Sequence, residues 1–205
     1  MSRPLLLTLL LSAAAAAGYV AYRLVSAPAP VAPGAEAPAA ADAAPERRLV
    51  DALPEFYLDD LEGQPTSIRS WPGQPLIVNF WATWCAPCLR EIPMLKELQA
   101  ANPWLTVVGI ALDQTEPVRQ FAADMRFNYP ILVGQADGWE AATRFGVDFY
   151  ALPFTVFTAA DGHVLGVHTG ELHREHLDNV LAVLEDLRGG RADLEEARAR
   201  IAGRR

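Results

Sequence analysis

The sequence predicts an α/β domain with a central mixed sheet flanked by helices, and three observations carry that reading. Leu76 to Trp81 and Leu105 to Leu112 are near-continuous apolar runs, the pattern of strands covered on both faces. Segments of helical character separate and follow them. Two short apolar segments late in the chain close on each other through the turn Ala160-Asp161-Gly162.

Taken in order, Phe56-Tyr57-Leu58 and Thr66-Ser67-Ile68 flank Glu62-Gly63-Gln64 and read as a small hairpin. The first buried strand, Leu76 to Trp81, follows Pro75. Cys85 to Asn102 reads as a helix that stops before Pro103. After the strand Leu105 to Leu112, Pro117 to Met125 is helical, with proline acceptable in the first turn. Ile131 to Val133 is a short strand, and Trp139 to Phe145 a helix closed by Gly146. Phe154 to Thr158 and His163 to Val167 are the arms of the second hairpin. Leu172 to Leu187 is the last amphipathic helix, and the order βαβαβαββα is that of an α/β fold.

What precedes this body has a different character. Leu5 to Tyr22 is an uncharged, mostly apolar run that would span about 27 Å as a helix, close to a bilayer's hydrocarbon core. The run reaches Tyr19 and Tyr22, side chains suited to a membrane interface, so residues 1–26 are expected to be a retained signal anchor. The alternative is a cleaved signal peptide, for which Ala13 to Ala17 offers small-residue cleavage sites. Residues 27–45 are almost all alanine and proline, a tether that cannot bury a core. The globular domain is then 46–188, and 189–205 is a charged tail expected to form a solvated, frayed helix.

Composition excludes several classes. A formal net charge of −8 argues against nucleic-acid binding by bulk charge. Two cysteines are too few for a disulfide-stapled mini-domain or an all-cysteine zinc site. No Gly-x-Gly-x-x-Gly, Walker or Ser-x-x-Lys motif occurs, and Trp71, Trp81 and Trp104 read as packing residues.

The chemistry concentrates at Trp84-Cys85-Ala86-Pro87-Cys88, between a buried strand and a helix. A thiol at a helix start faces unpaired N–H groups and the positive end of the helix dipole, which favour thiolate. Cys85 is therefore the expected exposed nucleophile. Cys88, one turn deeper, can close a disulfide on it and release a partner held as a mixed disulfide. Pro87 suits the first turn. Metal ligation is not expected, because His163, the nearest of the downstream histidines (163, 168, 173 and 176), is 75 residues beyond Cys88. Glu91 shares the helix face of Cys88, three residues on, and can exchange protons with it; an ordinary solvated glutamate is the competing reading.

The run from Asn79 through Trp84-Cys85-Ala86-Pro87-Cys88 and Glu91 to Pro93 resembles the active-site segment of TlpA/ResA-type proteins, the membrane-tethered thioredoxin-like family. Phe56 to Ile68, Phe145-Gly146-Val147, Leu152-Pro153, Asp161-Gly162 and Gly170 resemble it too, so that the likeness spans roughly Leu53 to Leu187. It implies a thioredoxin fold with an N-terminal β-hairpin extension, and a thiol–disulfide oxidoreductase acting outside the cytoplasm without a cofactor. In the resemblance, Cys85 and Cys88 are the nucleophilic and resolving cysteines, and Glu91 is the active-site acid. Pro153 is the cis-proline beside the disulfide, Trp84 and Pro87 support the pair, and Pro93 marks a helix kink. The chain departs from the pattern twice. Asn79 stands where thioredoxin has a buried aspartate, and Phe154 follows the proline where many relatives have threonine, with Thr155 displaced by one.

The expectation is a reductase of protein disulfides, of the kind serving cytochrome c maturation or oxidase copper-site assembly. A copper(I) metallochaperone and a disulfide oxidase are the alternatives. The expected partners are a protein disulfide or dithiol substrate and a membrane electron donor. The expected state is a monomer, held to a bacterial inner membrane by its anchor with the domain in the periplasm, or soluble there after cleavage.

Overall fold

The computed structural model describes residues 49–146 and 151–203, together with Tyr22. The expected anchor (1–26) and tether (27–45) otherwise lie outside the described residues, as does Val147 of the motif after Phe145. Among the described residues no helix is long and apolar enough to cross a membrane.

Seven strands form one sheet: β1 (Tyr57–Asp60), β2 (Pro65–Ser67), β3 (Leu76–Trp81), β4 (Thr106–Ala111), β5 (Ile131–Val133), β6 (Phe154–Thr158) and β7 (Val164–Thr169). Their order is β2-β1-β5-β4-β3-β6-β7. β3, β4 and β5 run parallel, while β6 and β7 on one side and β1 and β2 on the other are antiparallel. The first hairpin thus extends the sheet beyond β5. Among the described residues five helices connect and cover the strands: α1 (Ala86–Ala101), α2 (Thr115–Met125), α3 (Ala136–Thr143), α4 (Arg174–Arg188) and α5 (Leu194–Ile201).

All residues of β3 and β4 are buried, as their unbroken apolar runs require. Strand alternation sorts them between two faces. Val78 and Phe80 join Phe56, Val108, Ile110, Phe145 and Phe154 on one face, where the Phe80 and Phe154 rings stack at 4.2 Å. Ile77 and Trp81 point the other way, toward Leu95 and Ile92 of α1, Val118 of α2 and Leu177 of α4. Asn79 lies between these two on β3, so a polar side chain faces the helix that carries the cysteines.

The expected solvated tail is corrected. Helix α5 is docked: Ala197 is fully buried, and Leu194 and Ile201 pack on the core. Arg198 Nε donates to the Val164 carbonyl, and Asp193 caps the helix by accepting from Glu196 N–H. Gly166 makes the fit possible, since a Cβ there would come within 2.5 Å of Ile201 Cγ2.

Candidate active site

Cys85 is the N-cap of α1 and Pro87 lies in its first turn. The Cys85 sulfur accepts from Cys88 N–H at 3.4 Å, one of the helix-start donors that lack a partner within the helix. The two cysteines form a disulfide, their Cα atoms 5.3 Å apart. Cys85 is less exposed than the sequence suggested, at 5%, because it belongs to the buried cluster of Trp81, Ala82 and Ile92, against which Leu152 packs; Cys88 is fully buried. The prominent side chain is Trp84, which is 68% exposed. The preceding loop is held by Asp113, whose Oδ2 accepts from Thr83 N–H at 3.2 Å and Thr83 Oγ1 at 2.5 Å. Pro153 follows a cis Leu152–Pro153 bond. Pro93 sits inside α1, which continues through it.

Glu91 is not solvated. It lies past the first turn of α1, on the inward stripe of Cys88, Ile92, Leu95 and Leu98, and is 1% exposed. Asn79 Nδ2 donates to its Oε1 at 2.6 Å, and Leu172 N–H donates to its Oε2 at 2.7 Å. Burial pushes this carboxyl up to about 7, against the opposing pull of those two donors. Asn79 also donates to Thr155 Oγ1 at 3.0 Å. The register pairs Asn79 with Thr155 on β6 and Gly109 on β4, which sets this row beneath Glu91. Thr155 therefore serves the buried network, since strand alternation turns it opposite to Phe154.

Three of the four histidines gather beside the loop between β7 and α4. The rings of His168 and His176 are 4.3 Å apart, and those of His173 and His176 are 5.6 Å apart. Burial holds the His168 imidazole below its usual range, and His176 and His173 add to this. Among the described residues no group of three or more His, Cys, Asp or Glu side chains is placed to hold a metal ion.

Of the residues singled out in the sequence, Cys85, Cys88 and Glu91 share the inner end of α1, with Trp84 at its entrance. Asn79, Thr155 and Leu172 are the partners that went unassigned. One signal was legible: a polar residue inside an apolar buried strand must find partners.

A profile of the Redoxin family matches residues 40–184. The chain belongs to the Redoxin family. Within it the relatives are of ResA type. The thiol-disulfide oxidoreductase ResA of Geobacillus thermodenitrificans is 32% identical over 134 residues, covering 62% of this chain and 75% of that one. The ResA of Bacillus thuringiensis subsp. konkukian is 32% identical over 131 residues, covering 62% and 73%. A solved thiol:disulfide interchange protein of the thioredoxin family from Chlorobium tepidum superposes with a TM-score of 0.59 at 30% identity, over 67% of this chain and 97% of the other. This redoxin has the thioredoxin fold and is a thiol–disulfide oxidoreductase.

Proposed function

We propose that this redoxin is a membrane-tethered, extracytoplasmic reductase of protein disulfides, acting on cysteine pairs that must be reduced before haem or copper is attached. The observation that carries the reading is the position of Cys85 as helix N-cap, with its sulfur accepting the Cys88 N–H. That environment favours a thiolate once the pair is reduced.

In the reduced enzyme the Cys85 thiolate attacks one sulfur of the substrate disulfide. The substrate S–S bond breaks, a mixed disulfide forms, and the departing substrate sulfur takes up a proton. Cys88 then gives its proton to the Glu91 carboxylate and attacks the Cys85 sulfur. The second substrate thiolate leaves, and two electrons have passed from the enzyme dithiol to the substrate. A carboxyl near neutrality suits Glu91 to this step, because it can hold or release a proton at working pH. Trp84 and the cis Leu152–Pro153 segment frame the approach of an extended substrate segment. A dithiol donor in the membrane re-reduces the pair. In this arrangement residues 1–26 are the anchor, 27–45 the tether, 46–188 the catalytic domain and 189–205 its C-terminal extension.

The test uses the unequal cysteines. Cys88→Ser retains the first attack and accumulates a covalent adduct that reductant dissolves, visible on a non-reducing gel; Cys85→Ser forms none. Equal trapping by both variants overturns the assigned order. A potential of the Cys85–Cys88 couple well above that of reducing thioredoxins, roughly −270 mV, reverses the direction to oxidase.

A further inference from the structure

Helix α1 and the β7–α4 loop meet twice within two residues. Leu172 N–H reaches Glu91 Oε2, and the neighbouring Glu171 carboxylate takes the guanidinium of Arg90, the residue before Glu91. Arg90 Nε donates to Oε1 at 3.1 Å and Oε2 at 3.0 Å, and its terminal nitrogen closes on Oε2. A third tie comes from β7, where His168 Nε2 lies 3.2 Å from the Glu171 carbonyl oxygen. The loop also bonds back to the proline, Gly170 N–H donating to Pro153 O at 2.9 Å from a glycine with φ of 98°.

We infer that Arg90 and Glu171 are positioning residues, a clamp that holds the Leu172 N–H on Glu91 and so sets the proton affinity of the acid serving Cys88. This deepens the proposed mechanism and rests on its reading of Glu91 as the Cys88 proton acceptor. A planar guanidinium gripped by both carboxylate oxygens fixes orientation as well as distance. An exposed ion pair contributes little to global stability, so its effect is sought at the group it aims.

The surroundings of Glu91 make the test one of sign. Asn79 approaches from β3, with Thr155 of β6 behind it; the Tyr129 phenol is close enough to feel the Glu91 charge; Cys88 shares α1. Glu171, paired to Arg90 and flanked by His168, His173 and His176, completes the set. Leu172 draws the Glu91 carboxyl down more strongly than the Glu171 charge pushes it up. Deleting Glu171 as a mere charge lowers the Glu91 midpoint. Deleting it as a clamp raises the midpoint, because the N–H is released.

The experiment is a titration of the Glu91 side-chain carboxyl by carbon-13 NMR in the oxidised full-length protein, where no thiol titrates. It is run for the wild type, Glu171→Ala, Arg90→Ala and the double variant. The expected result is an upward shift of about one pH unit in each single variant, a tenfold change in proton affinity. The double variant shifts no further, since both deletions remove the same clamp. A downward shift in Glu171→Ala, opposite to that in Arg90→Ala, or no shift in either, overturns the clamp. The Glu91 role fails separately, if Glu91→Gln leaves the pH profile of exchange unchanged while the clamp variants still move the carboxyl.

Discussion

Asn79 and Glu91 are joined by a buried hydrogen bond of 2.6 Å between the strand that precedes the cysteine motif and the helix that carries it. Asn79 supplies a donor and no charge, so among the described residues the only buried carboxyl is that of Glu91. Where thioredoxin has its acid on the strand, this redoxin carries it on the helix, three residues from Cys88.

That carboxyl makes stability depend on pH. Folded Glu91 keeps its proton to about pH 7, against an ordinary value of 4.5. Between these limits the unfolded chain has released a proton that the folded one still holds. Stability is therefore complete below about 4.5 and is lost as pH rises through 7, by on the order of 3 kcal/mol. Urea unfolding of the oxidised protein across this range should show that fall, and Glu91→Gln should flatten it.

A second carboxylate at position 79 should act more strongly than the loss of the amide alone. Asn79→Asp places two carboxyls at hydrogen-bond distance, where both cannot ionise together. One proton should then persist above pH 7, and the pH profile of disulfide exchange should move upward. Stopped-flow kinetics with a small disulfide substrate measures it, and an unmoved profile contradicts this coupling.

Docking of α5 predicts a sensitive glycine. In Gly166→Ala the new methyl meets Ile201 Cγ2 at 2.5 Å, an overpacking that costs about 1–3 kcal/mol. Ile201→Ala opens the same space, so the double variant should lose less than the sum of the single losses. Denaturation midpoints of the four proteins decide it; strict additivity would show that the two positions do not touch.

Asp113 should matter through Thr83. Asp113→Ala removes the acceptor for both Thr83 donors and frees the loop that carries Trp84. We expect a loss of about 1–2 kcal/mol in stability. Exchange with a protein substrate should slow more than exchange with a small disulfide, because Trp84 is lost as a fixed contact surface. Equal slowing for both substrates would point to the cysteines instead.

The sheet strands, the helix starting at Cys85 and the cysteine pair are legible from the sequence alone. These rest on local rules: the unbroken apolar runs of β3 and β4, the strand–helix junction, and proline in a first turn. Pairing order and the partners of Glu91 belong to tertiary structure. Thr155 and Leu172 are 76 and 81 residues from the groups they serve, so no periodicity connects them to Asn79 or Glu91. Helical spacing put Glu91 on the face of Cys88, but whether that face met water or the sheet depended on α1 packing over β3. The same holds for the tail, whose sparse apolar residues read as solvated until β7 offered Gly166 opposite Ile201. Burial is a property of what packs against a residue, and that is decided by segments distant in the chain.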